Sequence, residues 1–338
     1  MNVYRVALIG CGAIAESGHF PTLLRHPRLK VAAVCDSRLT RAALLAAQAE
    51  DISTYADWRE LLDREEVDAA VLTLPPEASP DVVIGCLQRG LHVLDEKPLA
   101  ATVEDGRRVA RAVVESARVF QVGFVLRYGD LVRHVARLAT AIGVPSRTCV
   151  SIHDERLDRS NVEHFTRIQG FLRNSSAMTH EGSHVIDYAA LWNPSPWTKV
   201  RARAECTAPD LAGPNHWQAT VSLADGSSLE VEIGWLLTDS SSSTVTIEGP
   251  NGRLALDLLN GEGHCRIEGE EKRLALPSMA PEWDRQYDAF VAAIDRGIAT
   301  EATIEDGLRA LEVTAACEVS RRANAEVARS DSMSGKRI

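Results

Sequence analysis

The chain has 338 residues, 45% of them hydrophobic, which is ample apolar material for two ordinary domain cores. Its 37 Lys and Arg against 47 Asp and Glu give a formal charge of −10 with no basic run, which argues against nucleic acid as a partner. No apolar stretch approaches membrane-spanning length and the first residues run directly into a strand pattern, so the expectation is a cytoplasmic protein that does not associate with membranes.

Val3–Ile9 is a nearly unbroken apolar run, the pattern of a strand buried on both faces of a parallel sheet. Gly10-Cys11-Gly12-Ala13-Ile14-Ala15 follows at once and reads G-x-G-x-x-A. A helix-length segment leads to a second apolar strand, Leu29–Cys35, which ends in Asp36. In that order the parts form a dinucleotide-binding βαβ unit: Gly10 for the tight turn, Gly12 for close approach of a pyrophosphate, Ala15 for helix packing on the strand. The N–H groups of the following helix start, at Ala13 and Ile14, would face the phosphates. Asp36 would accept the ribose hydroxyls and favours NAD, because its charge repels a 2′-phosphate. Ser37 and Arg38 follow it and keep NADP open.

Downstream, residues 38–50 read as a helix and 57–63 as a short helix opened by Asp57. Val67–Leu74 reads as a buried strand broken by Pro75-Pro76, which places Thr73, Leu74 and Pro75 over the cofactor. A helix over 79–89 ends at Gly90, a short strand over 91–94 leads into Asp95-Glu96-Lys97-Pro98, and a helix over 103–116 precedes a last strand over 118–124. Strand–helix alternation to about residue 123 implies a doubly wound parallel sheet. A helix over 128–142 then gives way to strand-like stretches at 147–153, 199–207, 216–224, 229–237, 243–248 and 252–258, which imply a largely antiparallel open sheet in an α+β domain. A long insert, 154–198, holds most of the remaining histidines, and 282–327 is helical and expected to pack back on the first domain. The expected division is a cofactor domain, 1–123, a substrate and oligomerisation domain, 124–330, and a frayed polar tail, 331–338. The serine run 240–243 reads as a loop. Seven scattered cysteines without a C-x-x-C pair read as reduced, mostly buried thiols.

The motif at 10–15, Phe20-Pro21, Val34-Cys35-Asp36, Glu96-Lys97-Pro98-Leu99, Val122-Gly123-Phe124 with Arg127, and Gly182-Ser183-His184-Val185-Ile186-Asp187 stand in an order that resembles the glucose–fructose oxidoreductase/inositol dehydrogenase (Gfo/Idh/MocA) family. The resemblance implies a nicotinamide-dependent oxidoreductase of a sugar, cyclitol or similar polyhydroxy compound, and a homo-oligomer, dimer or tetramer, joined through second-domain sheets. It also implies that Glu96, Lys97 and Arg127 belong to the cofactor site, that a cis bond precedes Pro98, and that Tyr128, His153, Arg173 and Asn174 line the substrate pocket. Oxidising a secondary alcohol moves a hydride to the nicotinamide and a proton to a base, and Lys97, on the sheet rim where desolvation favours a neutral amine, suits that role. His184 is the expected principal acid/base within the family pattern Asp-x-x-x-His-x-x-Asp, whose helical spacing puts three side chains on one face. Here His180 stands in place of the aspartate and Asn174-Ser175-Ser176 in place of family glycines, so the substrate pocket is expected to be altered. Asp187 orients His184 or touches substrate, Trp217 or Trp235 is a candidate to stack on a sugar face, and Glu163 and His164 lie in the insert facing substrate or a neighbouring subunit.

Three further readings follow from the same residues. His180-Glu181-Gly182-Ser183-His184 also spells H-E-x-x-H, but Gly182 weakens the helix and no third ligand follows at a familiar spacing, so no metal ligand is assigned. An NADP-dependent sugar ketoreductase is expected if Ser37 and Arg38 hold a 2′-phosphate. A nucleotide-binding regulator without turnover is the reading of another class, opposed by the presence of both Lys97 and His184.

Overall fold

The computed structural model describes residues 2–238 and 243–329; Ser240–Ser242 of the serine run and the tail 331–338 lie outside the described residues. The chain divides into two compact units, 1–128 with 281–308, and 129–280 with 309–338. The division thus falls a few residues after the expected boundary, and the C-terminal helical region is shared between the units.

In the first unit the chain runs β1 (Tyr4–Ile9), α1 (Phe20–Arg25), β2 (Leu29–Cys35), α2 (Leu39–Ala46), β3 (Ser53–Tyr55), α3 (Trp58–Arg64), β4 (Ala69–Leu72), α4 (Ser79–Gln88), β5 (His92–Asp95), α5 (Val103–Ser116) and β6 (Phe120–Val122). The strands form one parallel sheet in the order β3-β2-β1-β4-β5-β6. Because the order reverses beside β1, the carboxyl ends of β1 and β4 open the crevice in which such sheets bind ligands. Val6, Ala7, Leu8, Ala69, Ala70, Val71 and Leu72 are fully buried, as both-faced burial of a parallel sheet requires. Helix starts follow their caps: the side chain of Asp57 accepts from the Arg59 N–H at 2.8 Å, and that of Thr102 from the Asp105 N–H at 3.0 Å. The edge strand β3 was not anticipated, since Ser53-Thr54-Tyr55 is too short to carry an alternation. The expected strand at 118–124 shrinks to the three residues of β6.

The second unit contributes α6 (Asp130–Ile142), β7 (Arg147–Asp154), α7 (Val162–Asn174), α8 (Ser183–Ala189), β8 (Trp197–Glu205), β9 (His216–Leu223), β10 (Ser228–Trp235), β11 (Thr244–Gly249), β12 (Gly252–Asp257), β13 (Glu262–Ile267) and β14 (Glu270–Ala275). Then come α9 (Trp283–Arg296), which belongs to the first unit, α10 (Ile304–Ala323), which passes from the first unit to the second, and β15 (Val327–Ala328). The nine strands are ordered β14-β13-β12-β11-β7-β10-β9-β8-β15, with β7 and β10 parallel and the other pairs antiparallel. β7 alternates strictly, with Thr148, Val150 and Ile152 buried on one face and Cys149, Ser151 and His153 on the other. β14 escapes the sequence pattern because its residues are charged and largely exposed, and β13 because its inward positions, Gly263, Cys265 and the half-buried Ile267, make only a weakly apolar face.

α9 completes the first unit's core. Tyr287, Phe290, Val291 and Ala293 join Val6, Leu8, Phe20, Leu23 and Val34 in one buried cluster. A Cβ on Gly18 would stand 2.6 Å from the Trp283 ring, so this glycine is what lets α9 close on the segment before α1.

Candidate functional site

In the first unit the glycine loop is built as its sequence demands. Gly10 has φ +97°, a backbone conformation that favours glycine, and a Cβ there would meet the Thr73 carbonyl oxygen at 2.5 Å. Thr73 locks the loop from the neighbouring strand: its Oγ1 donates to the Gly10 carbonyl at 2.7 Å. A Cβ at Gly12 would meet nothing within 4 Å, so this part of the loop faces open space, the room a pyrophosphate needs. The chain is helical from Ala13 to Arg25, with a π-helical turn at Ala15–His19. Asp36, at the tip of β2, accepts from the Cys11 N–H at 2.8 Å and, through its other oxygen, from the Arg38 N–H at 2.8 Å. Two backbone donors therefore aim the carboxylate while leaving lone pairs for ribose hydroxyls. Ser37 and Arg38 are exposed beside it, Leu74 is half-buried and Pro75 exposed. These residues and this geometry fit a dinucleotide.

Lys97 is partly exposed and the Lys97–Pro98 peptide is cis. Its neighbour Glu96 turns inward. Glu96 Oε1 lies 2.9 Å from His19 Nε2, and His19 Nδ1 lies 2.7 Å from the Tyr287 hydroxyl, all within the buried interior. Burial, with Glu96 nearby, pushes the Tyr287 hydroxyl well above its ordinary range. A Cβ on Gly123 would meet Glu96 Oε1 at 2.5 Å, so the glycine of Val122-Gly123-Phe124 makes room for this carboxylate. Glu96 thus supports the strand end that carries Lys97, and His19 and Tyr287 are partners that the sequence reading missed. Arg127 is buried too, donating to the Glu301 carbonyl and, at 3.0 Å, to Asp306 Oδ2, contacts that secure the segment leading into α10. Asp95 completes this rim. Its Oδ1 accepts from Ser79 Oγ at 2.5 Å, its Oδ2 has no hydrogen-bond partner among the described residues, and burial raises its carboxyl well above the usual range.

In the second unit His180 lies in a π-helical turn, Met178–Gly182, that runs into α8. The expected helical spacing of His180, His184 and Asp187 is therefore interrupted between the two histidines, and H-E-x-x-H does not lie on one regular helix. The first turn is set by Ser176, whose Oγ accepts from the Thr179 N–H at 3.1 Å. His184 and Asp187 are buried on α8. Burial, then the charges of Glu181 and Asp187, raises the Tyr188 hydroxyl well above its range. His180 packs at 4.8 Å from Phe171 and 5.8 Å from Trp235. Trp235 Nε1 is buried without a hydrogen-bond partner among the described residues, an uncommon state for an indole N–H. Trp217 instead donates to the Pro214 carbonyl at 3.2 Å and serves the core. Tyr128, assigned to the first unit, is fully buried, and Arg173 and Asn174 are exposed at the end of α7. His164 faces Glu155 at 3.5 Å, and Glu163 is exposed. His153 is separated from this group. Ile233, its strand neighbour's inward residue, lies under Gly182, whereas His153 points to the opposite face of the sheet, beside Glu232 at 3.1 Å.

Residues 4–124 match the family model described as an oxidoreductase family with an NAD-binding Rossmann fold. Over these residues, about a third of the chain, the sequence is similar to the Gfo/Idh/MocA family. The Gfo/Idh/MocA resemblance and the parallel-sheet fold expected from the sequence are thereby borne out, and the first domain is an NAD-binding Rossmann fold. Inositol 2-dehydrogenase 2 of Saccharopolyspora erythraea is 33% identical over 190 residues, 54% of this chain and 52% of that protein, so the chain spans about half the length of this curated relative. The crystal structure of myo-inositol 2-dehydrogenase from Lactobacillus plantarum superimposes with a TM-score of 0.81 at 22% identity, covering 97% of this chain and 99% of that one. The WlbA dehydrogenase of Chromobacterium violaceum, solved with NADH and UDP-GlcNAcA, superimposes with a TM-score of 0.81 at 21% identity over 97% and 96% of the two chains. These structural likenesses show that the fold of both units is shared with those proteins. Among the described residues no helix is long and apolar enough to cross a membrane.

Proposed function

We propose that the chain is an NAD-dependent dehydrogenase of a secondary alcohol on a sugar, cyclitol or amino sugar. The observation that carries this reading is Asp36, a carboxylate fixed by two backbone N–H groups beside the open face of Gly12. Bound NAD supplies a hydride acceptor. Asp36 holds the ribose, the loop at Gly10–Gly12 admits the pyrophosphate, and Lys97 and His184 handle the hydroxyl proton, with Asp187 orienting His184 and His180 contacting substrate. The buried, unpartnered indole N–H of Trp235 beside His180 supports a polar ligand at that end of the second unit. The inositol dehydrogenase relatives and the WlbA structure support a polyhydroxy substrate. The exposed Arg38 next to Asp36 favours one second reading, an NADP-dependent sugar ketoreductase. The proposed working form is a cytoplasmic homo-oligomer, which sedimentation at several concentrations tests.

Calorimetric titration with NAD(H) and NADP(H), followed by an absorbance screen of cyclitols, hexoses and amino sugars, tests the proposal. Preference for NAD with turnover supports it, preference for NADP with reduction of a ketose moves it to the second reading, and binding without turnover points to a regulator. Lys97→Ala and His184→Ala should each lower kcat by roughly 10²–10⁴-fold, the usual contribution of a positioned acid or base, while NADH binding persists.

A further inference from the structure

On the outward face of the second sheet, three adjacent strands bring together His153 of β7, His216 of β9 and Glu232 of β10. Gly234 is the register partner of His153 on one side and of His216 on the other, so a position with no side chain separates the two imidazoles. A Cβ at Gly234 would stand 3.0 Å from His153 Cδ2. Into the gap reaches Glu232, whose Oε1 lies 3.1 Å from His153 Nε2 and 3.0 Å from His216 Nε2. The three ligand-capable atoms all lie within 4.8 Å of one another, and Ser151 Oγ is 3.4 Å from His153 Nε2.

A second observation comes from the far side of His216. Its Nδ1 lies 3.0 Å from Glu205 Oε1, so the ring is set between two carboxylates. A neutral imidazole has one N–H and can satisfy one of them. The other then faces a bare nitrogen lone pair, a conflict that either a second ring proton or a cation between Nε2 and Glu232 resolves. An N–H directed at a carboxylate with the opposite nitrogen left to bind is the arrangement that orients histidine ligands in metal proteins. His153 Nε2 faces the same Glu232 oxygen, and its buried Nδ1 has no hydrogen-bond partner among the described residues.

We propose that His153, His216 and Glu232 form a binding site for a borderline divalent metal ion of the zinc type, with Glu205 as the positioning residue of His216. Two imidazoles and one carboxylate are a ligand set suited to such an ion, with a remaining position for water. The side chains of His153 and His216 are 10% and 18% exposed and that of Glu232 34%, so the ion is sheltered by the sheet yet reachable. Bound there, it ties β7, β9 and β10 together across the face opposite His180 and takes no part in the proton handling proposed above.

The test uses the tag-free full chain, stripped with a chelator and titrated with Co²⁺ alone at neutral pH. One ion per chain with the intense visible bands of low-coordinate Co²⁺, displaced by Zn²⁺, is expected. His216→Ala and Glu232→Gln should lose the bands, Glu205→Gln should weaken binding by about 10–100-fold, the usual effect of removing a carboxylate behind a histidine ligand, and His264→Ala, an exposed histidine of β13, should change nothing. Thermal unfolding provides the second reading: Zn²⁺ should raise the midpoint of the wild type and of His264→Ala but not of His216→Ala. Absence of saturable uptake, or equal uptake by the wild type and a His153→Ala/His216→Ala variant, would mean that the cluster is held by protons alone and overturns the proposal.

Discussion

At position 10 the space for a methyl group is already taken by the Thr73 carbonyl, and the backbone is in a left-handed conformation. Gly10→Ala should therefore cost about 1–3 kcal/mol of stability through strain and weaken NAD(H) binding, which thermal unfolding and calorimetry would read together. Asp95 makes a different prediction. Its carboxyl is raised by burial, so the folded chain keeps a proton that the unfolded chain releases. That contribution is complete below the ordinary aspartate value and is lost as pH rises through the folded value. Asp95→Asn should flatten this part of the stability–pH profile and gain stability relative to wild type on going from pH 4 to neutrality; parallel profiles in urea would refute it. Residues whose task is local were legible in the sequence: Gly10, Gly12 and Asp36 act within one βαβ unit. Glu96 was legible as a motif but not in its task, because its partner His19 is 77 residues away and His19 reaches Tyr287 across 268. His153 was misleading for a similar reason: which face of a strand it occupies is decided by the pairing of β7 with β10, which no local pattern displays.

Among the elements, α9 shows most clearly how sequence order and structural membership part company. It follows the second sheet in the chain but contributes Tyr287, Phe290, Val291 and Ala293 to the core of the first unit. A fragment ending at Tyr128 would leave that face of the Rossmann sheet bare. It should express as an aggregating, dye-binding species, whereas the same fragment carrying 281–308 on a flexible linker should be soluble and bind NADH; a well-folded short fragment would contradict the assignment. The periodicity of 283–296 announced a helix, but not which sheet it covers. The two π-helical turns, at Ala15–His19 and Met178–Gly182, were invisible for a simpler reason: a single wide turn barely disturbs an apolar pattern of period 3.6. The first begins at Ala15, the last residue of the glycine motif, and the second contains His180; such turns are frequent at functional sites.

For the whole molecule, alternation of strands and helices was enough to announce a parallel sheet followed by an open antiparallel one, because each architecture writes its own burial period into the chain. Strand order was not legible, and β7 is the case in point. The first strand of its sheet in sequence, it ends in the middle, flanked by β10 and β11. A chain in which residues 244–275 are replaced by a flexible linker lacks β11–β14 but keeps α9 and α10, and leaves one side of β7 unpaired, so it should be recovered mainly as aggregate, while removal of the residues after Arg329 should be tolerated. On the ribosome the same geometry becomes a matter of time. β7 emerges with apolar Val150 and Ile152 and no neighbour on either side, and both neighbours arrive only after roughly a hundred further residues, about 5–20 s at ordinary rates of synthesis. For that interval the strand destined for the centre of the sheet is an exposed edge, and the chain depends on chaperone cover, or on the early helices α6 and α7, to keep it from pairing with another copy.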